Sequence, residues 1–131
     1  MAGMTDLQQL LATLEPEVRD GEYVYVTEPD GPSGVLEADA LIDEAEGRTL
    51  VVRREVADEA GLAYDFVGSW ITLTVHSSLD AVGLTAAFST ALAQAGIGCN
   101  VLAGRYHDHI LVPHNRREDA VAVLRALSIQ H

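Results

Sequence analysis

The chain has 131 residues, 48% of them hydrophobic, which is enough for one compact domain of ordinary size or for two small halves that share a core. Acidic residues number 20 against 8 basic ones, and the net charge of −12 argues against nucleic acids and anionic membranes as partners. The single cysteine excludes an intramolecular disulfide, and the first residues lack a basic start, so we expect a cytoplasmic protein.

The N-terminal half opens with the pattern of a short amphipathic helix. Thr5 and Asp6 are residues that cap helices, and they precede leucines at the spacing of one helix face: Leu7, Leu10, Leu11 and Leu14. After a turn signal at 20–21, residues 22–27 are rich in β-branched and aromatic side chains and predict a strand.

The rest of this half alternates loops with short elements. In chain order we predict a loop at 29–34, a helix over 36–45, a strand over 49–53 and one or two helical turns over 56–61. Residues 63–69 have no clear pattern and are expected to link two regions. We therefore divide the chain into a smaller N-terminal α/β half at 1–65 and a second half at 66–131.

The second half has the order strand, helix, strand, strand, helix. We predict a strand over 70–75, a helix from about 80 to 95, strands over 97–103 and 107–112, and a final helix. Asn115 and Glu118 have the spacing of a capping box, so Asn115 is expected to cap the final helix. Each helix carries one apolar stripe, so both are expected on the same side of the strands. The order predicts an α+β, ferredoxin-like βαββα fold.

Two features of this predicted sheet require a covering element. A ferredoxin-like sheet has a fourth strand, which we expect from the N-terminal half or from another chain. The sheet face away from the helices combines large apolar residues with polar ones: Trp70, Leu102 and Leu111 with Thr72, Asn100 and His109. That face is too apolar to remain in water, so the N-terminal half or a second subunit is expected to cover it.

The loop between the first strand and the first helix of this half is the candidate binding site. It contains the small polar run His-Ser-Ser at 76–78 and reaches Gly83 near a helix start, where free backbone N–H groups can bind a carboxylate. Asp80 or Asp108 could bind an ammonium group. The alternative is purely structural, with the two serines capping the helix and Gly83 serving helix packing.

The second half resembles an ACT domain, a small β-α-β-β-α-β module that binds amino acids and regulates enzymes or transcription. The motifs that carry the resemblance are LDAVGL at 79–84, AQAGI at 93–97 and DHILVP at 108–113. The chain is similar to the subtype also found in eukaryotic cytosolic arginine sensors. It is also similar to bacterial proteins whose N-terminal half has the pattern LxxLxPxxxxGxYV, which stands here at 11–24. This resemblance implies that the N-terminal half at 1–65 is itself ACT-like.

The resemblance implies a ligand near the loop that follows the first strand of the module. Carried over to this sequence, the expected ligand-binding residues are His76, Ser77, Ser78, Leu79, Asp80, Val82, Gly83, Asn100 and Asp108. The subtype often has Ser-Thr-Tyr before the aspartate, whereas residues 104–107 read Gly-Arg-Tyr-His here. The resemblance therefore implies an amino-acid ligand without naming it.

These expectations describe a non-catalytic sensor of a free amino acid or a similar small metabolite, without a cofactor. We expect a homodimer and a protein partner that receives the signal. One alternative is a metal-dependent enzyme that uses His76, His107 and His109, because the last two share a strand face. Another is a ligand-free interaction module whose pocket is filled by Leu79 or Tyr106. Cys99 is expected to be a buried, unreactive thiol.

Overall fold

The computed structural model describes residues 6–29, 36–75 and 82–130. Its elements are α1 (Leu7–Thr13), β1 (Pro16–Val18), β2 (Tyr23–Thr27), β3 (Ala40–Glu44), β4 (Gly47–Arg53), α2 (Arg54–Ala60), β5 (Val67–Leu73), α3 (Leu84–Gln94), β6 (Asn100–Ala103), β7 (Asp108–Pro113), a 3₁₀ turn (His114–Arg116) and α4 (Arg117–Ile129). Two compact units result, which we call the first unit (1–19 with 69–131) and the second unit (20–68). No described helix is long and apolar enough to cross a membrane.

The sheet of the first unit contains β1, β5, β7 and β6, in that spatial order. Strand β1 pairs antiparallel with β5, with Pro16 opposite Leu73 and Val18 opposite Ile71, and β6 pairs antiparallel with β7. The strand missing from the β-α-β-β-α order thus comes from the N-terminal part of the same chain. This confirms one of the two predicted sources and completes a ferredoxin-like sheet.

Helices α1, α3 and α4 bury their apolar stripes in one core together with this sheet. The stripe of α3 consists of Leu84, Phe88 and Leu92, at the spacing that the sequence predicts. Leu10 of α1 and Leu124 of α4 are fully buried in the same core. Because Phe88 is also fully buried, truncating it to alanine would cost about 3–5 kcal/mol.

Two of the large apolar side chains on the sheet face away from the helices are buried. Trp70 is 3% exposed and Leu111 is fully buried on this face. The prediction that this face is covered is confirmed for these two side chains, which require no second subunit. Leu102, on the edge strand β6, is partly exposed.

The sheet of the second unit is centred on β4, which pairs antiparallel with β2 on one side and with β3 on the other. The first residues of β5, Val67 and Gly68, pair with β2. Helix α2 packs on this sheet around a core of Val24, Val26, Leu50, Val52 and Ala57. It ends at Gly61, which adopts the left-handed conformation (φ +67°) that terminates many helices.

The predicted helix over 36–45 is wrong, because Ala40–Glu44 form strand β3. Leucine, alanine and acidic residues favour a helix locally. Pairing overrides that preference, since every residue of β3 lies opposite a residue of β4 across a tight turn at 45–46. Strand preference depends mostly on neighbouring strands, which a local pattern does not reveal.

The predicted cap at Asn115 is also wrong. Residues His114–Arg116 form a 3₁₀ turn, α4 begins at Arg117, and no side chain caps it. Two contacts hold the turn in this tighter geometry. Oγ of the fully buried Ser69 lies 2.8 Å from Nδ1 of His114, and the Arg116 guanidinium donates to the carbonyl of Ala95 over 3.1 Å.

Candidate functional site

The start of α3 presents backbone donors without a side-chain cap. Gly83 occupies the N-cap position, and its carbonyl accepts the first helical hydrogen bond from Ala87 N–H. No side-chain hydrogen bond caps this end within the part of the chain that the structure describes. The first N–H groups of a helix have no intrahelical partner, and the helix dipole favours negative charge there. This end can therefore bind an anion such as a carboxylate.

Gly83 is required here for two structural reasons. Its φ of +103° is unfavourable for residues with a side chain, and a Cβ atom would lie 3.0 Å from Cδ2 of Leu7 in α1. The close neighbour of Gly83 is therefore a leucine of α1. The neighbouring Val82 is 83% exposed.

Asp108 begins β7 and is half-buried on the helix side of the sheet. It lies opposite Ala103, and Ile110 and Val112 follow on the same face in the core. Burial raises the pKa of the Asp108 carboxyl, and the charge of His109 lowers that pKa by a smaller amount. No described residue forms a hydrogen bond or an ion pair with this carboxylate. A half-buried acid in this state is suited to a cationic ligand group.

Contacts between β5 and β7 place Asp108 near the end of β5. Oγ1 of Thr72, close to the end of β5, lies 2.9 Å from Nδ1 of His109, the second residue of β7. Oγ of Ser69, near the start of β5, contacts His114, just after β7. The strands therefore run in opposite directions, and Asp108 lies beside the end of β5, from which the chain continues toward α3.

Asn100 is placed away from Asp108. It lies opposite Leu111 on the other face of the sheet, and its Nδ2 donates to the carbonyl of Leu111 over 3.3 Å. Asp108 pairs with the far end of the same short strand, about 10 Å along it. The remaining predicted ligand residues, namely His76, Ser77, Ser78, Leu79 and Asp80, lie outside the described residues.

His109 belongs to a separate polar cluster on the face away from the helices. Trp70 Nε1 donates to its Nδ1 over 3.3 Å, the two ring centroids are 5.4 Å apart, and the Arg19 guanidinium lies 4.0 Å from the Trp70 ring centroid. Burial lowers the pKa of His109, and the positive charges of Arg19 and His107 lower it further. The sequence placed Trp70 and His109 on one face, but nothing in it indicated the contribution of Arg19.

His109, Tyr106 and Cys99 are the described residues that bear on a metal site, a filled pocket and a reactive thiol. His109 Nδ1 is engaged by Trp70 and Thr72, and residues 6–29, 36–75 and 82–130 contain no group of three His, Cys, Asp or Glu side chains suited to a metal. Tyr106 is 61% exposed beside the Arg105 guanidinium. Burial raises the pKa of the Cys99 thiol to about 11, so it is neutral and unreactive at ordinary pH.

Comparison with known families identifies both parts of the chain. Models described as an ACT domain match residues 2–69 and residues 66–126. The N-terminal region, for which we expected an ACT-like α/β half, is thus matched by an ACT-domain model in its own right. No curated protein matches the chain.

Several solved structures have the same fold. A Vibrio cholerae protein of unknown function, described as a possible transport protein, is 46% identical, with a TM-score of 0.83 over 93% of this chain and 95% of that one. An Agrobacterium tumefaciens protein is 16% identical, with a TM-score of 0.71 over 88% and 89%. The regulatory subunit of aspartate kinase from Thermus thermophilus is 11% identical, with a TM-score of 0.64 over 88% and 99%.

Proposed function

The chain belongs to the ACT-domain family, and from this premise we propose that it is a non-catalytic regulatory module that binds a free amino acid or a similar small metabolite. Regulatory subunits of aspartate kinase are among the structures that share its fold, which supports a regulatory role. We also propose that the chain consists of two domains, at residues 1–65 and 66–131.

The observation that carries the proposal is the pairing of two complementary features in the first unit. The start of α3, which no described side chain caps, offers N–H donors for a carboxylate. Asp108 offers a carboxylate without a described partner for an ammonium group. An α-amino acid carries both groups, so one ligand class matches both features.

We propose that the ligand contacts the loop from His76 to Gly83 and the carboxylate of Asp108. His76, Ser77, Ser78, Leu79, Asp80 and Val82 are the loop positions concerned. Asn100 is not among the proposed contacts, because its side chain binds Leu111 on the opposite sheet face. No cofactor is needed for such binding.

The experiment is a thermal-shift screen of the purified protein against the twenty amino acids and common metabolites, followed by calorimetric titration of each compound that stabilises it. A ligand at about a hundredfold its dissociation constant adds about 2.7 kcal/mol of stability. We expect one amino acid to stabilise the protein. If none of the compounds changes the melting temperature, the proposed function is wrong.

The site is tested with Asp108→Asn, which removes the charge and keeps the shape. We expect it to weaken binding by about tenfold or more, since a buried ammonium loses its counterion. Asp65→Asn is the matched control, because Asp65 is an exposed aspartate of the second unit. Equal affinities in the wild type and in Asp108→Asn would remove Asp108 from the site.

We also propose that the protein acts in the cytoplasm as a homodimer that signals to a protein partner. With Trp70 and Leu111 already buried within the chain, a dimer would use another surface. Light scattering at micromolar concentration tests the homodimer, and a monomeric mass contradicts it.

A further inference from the structure

Strand β3 is an exposed edge of the second unit's sheet. Among the described strands it pairs only with β4, and none of its five residues is buried. Leu41 is 50% exposed and Ile42 is 43% exposed, and as neighbours in a strand they point to opposite faces. Large apolar side chains are therefore in water on both faces of one edge strand. Such an edge is a template for another strand.

The register shows which backbone groups of β3 point outward. Glu28 N–H donates to the carbonyl of Arg48, so the backbone of Arg48 faces β2 and that of the next residue, Thr49, faces β3. Thr49 lies opposite Ile42, so Ile42 directs its N–H and C=O toward β4. The N–H and C=O groups of Leu41 therefore point away from the sheet.

The charges around this edge oppose pairing with a second copy of the chain. Residues 39–48 contain four acidic residues and one basic residue. The basic residue, Arg48, is already engaged, since its Nε lies 2.7 Å from Asp43 and its Nη1 lies 3.7 Å from Glu28. Two such edges side by side would bring like charges together, whereas a cationic strand would meet opposite charge.

We propose that β3 binds an extended, cationic segment of a partner protein as an additional strand of the sheet. Outward backbone groups supply the hydrogen bonds, Leu41 and Ile42 supply apolar contacts, and the surrounding acids select a basic partner. The inference does not depend on amino-acid binding, because β3 belongs to the second unit and the proposed ligand site to the first.

The probe is a fluorescent peptide of about six residues that alternates arginine and valine, titrated into the full-length protein by anisotropy. We expect saturable binding that Leu41→Lys and Ile42→Lys each weaken by about tenfold or more. The matched control is Ile129→Lys, which makes the same change at a residue of α4 that is 85% exposed. We expect that control to change the affinity by less than about twofold.

A second control separates strand pairing from charge attraction. In a peptide with the same arginines and valines but with every backbone nitrogen methylated, no backbone donor remains on either edge, so binding by strand addition is lost. Equal binding of the methylated peptide, or equal weakening by Ile129→Lys, would show nonspecific attraction and overturn the proposal. A wild-type dimer that Leu41→Lys converts to a monomer would also overturn it, because a second copy would then occupy the edge.

Discussion

The indole N–H of Trp70 donates to Nδ1 of His109 over 3.3 Å, and this bond requires a His109 ring that is unprotonated at Nδ1. The hydroxyl of Thr72 lies 2.9 Å from the same nitrogen. Protonation would place a hydrogen on Nδ1 and break the Trp70 bond. Arg19 and His107 add positive charge nearby, whereas Asp108 favours the protonated ring more weakly.

The first prediction is that acid destabilises the fold through His109. Its pKa in the folded state is below the ordinary value of 6.5, so between these two values the unfolded chain binds the proton more readily. The contribution of the neutral His109 ring to the free energy of unfolding is therefore fully present above pH 6.5. It is lost as the pH falls through the lowered folded pKa. Urea unfolding at a series of pH values, followed by circular dichroism, measures this decrease.

The variant His109→Gln keeps an acceptor and cannot be protonated, so we expect a flatter dependence of the unfolding free energy on pH. Trp70 is the only tryptophan of the chain, so its fluorescence reports the titration of the native state directly. An unchanged slope in His109→Gln would contradict the prediction.

The second prediction concerns the left-handed Gly83. Gly83→Ala places a Cβ atom at φ +103° and 3.0 Å from Cδ2 of Leu7, so we expect a loss of about 1–3 kcal/mol in the free energy of unfolding. Gly98→Ala is the matched control, because a Cβ atom there has no neighbour within 4 Å. Chemical denaturation of both variants measures the difference, and equal stabilities would show that Gly83 is not constrained.

The third prediction concerns Arg116, whose guanidinium binds the end of α3. It donates to the carbonyls of Ala95 and Gly96 over 3.1 and 3.4 Å, and to Asp119 over 2.9 Å. A cation at a helix C-terminus satisfies carbonyls and complements the dipole, so Arg116→Ala should lower stability by about 0.5–1.5 kcal/mol.

Thermal unfolding of Arg116→Ala beside Arg117→Ala checks this estimate. Arg117 follows directly in the sequence, and no hydrogen bond or ion pair between it and α3 is seen within the described residues. Arg116→Lys keeps the charge but not the planar donors, so it should fall between the wild type and Arg116→Ala. A larger loss in Arg117→Ala than in Arg116→Ala would refute the assigned role.

The second half of the chain was predictable because its helices bury one regular face each and its strands alternate between two chemically different faces. The stripe of α3 follows directly from burial on one side of the helix, and the alternation along the strands placed Trp70 and His109 on one face. Strand β3 was not predictable in this way, because none of its side chains is buried and its pairing with β4 alone makes it a strand. Local propensity then favours the helix that was expected.

The candidate site was predictable only in part, for a related reason. The helix start at Gly83 and the face of Asp108 follow from local patterns. The contact of Gly83 with Leu7 and the position of Arg19 over Trp70 join distant parts of the sequence, and no spacing rule connects them. Asn100 lies in β6 and Asp108 lies in β7. Whether the two side chains share a sheet face therefore depends on the β6–β7 register.

The last prediction uses Asp108 to separate a functional carboxylate from a structural one. Its folded pKa is raised by burial, so the folded state binds the proton more readily than the unfolded chain does. The stability that this group contributes is present below the ordinary pKa and is lost as the pH rises through the raised value. At neutral pH the half-buried carboxylate is therefore unfavourable in the protein without ligand.

Asp108→Asn removes this unfavourable charge, so we expect the free variant to be more stable than the wild type at pH 7 and to lose that advantage at acid pH. If Asp108 serves ligand binding, the same variant must bind the ligand more weakly. A gain of stability together with a loss of affinity indicates that a residue is present for function and not for folding. Denaturation at pH 7 and at pH 4 without ligand provides the measurement, with Asp65→Asn as the control. A variant less stable than the wild type at pH 7 would show that the carboxylate stabilises the fold and is not reserved for a ligand.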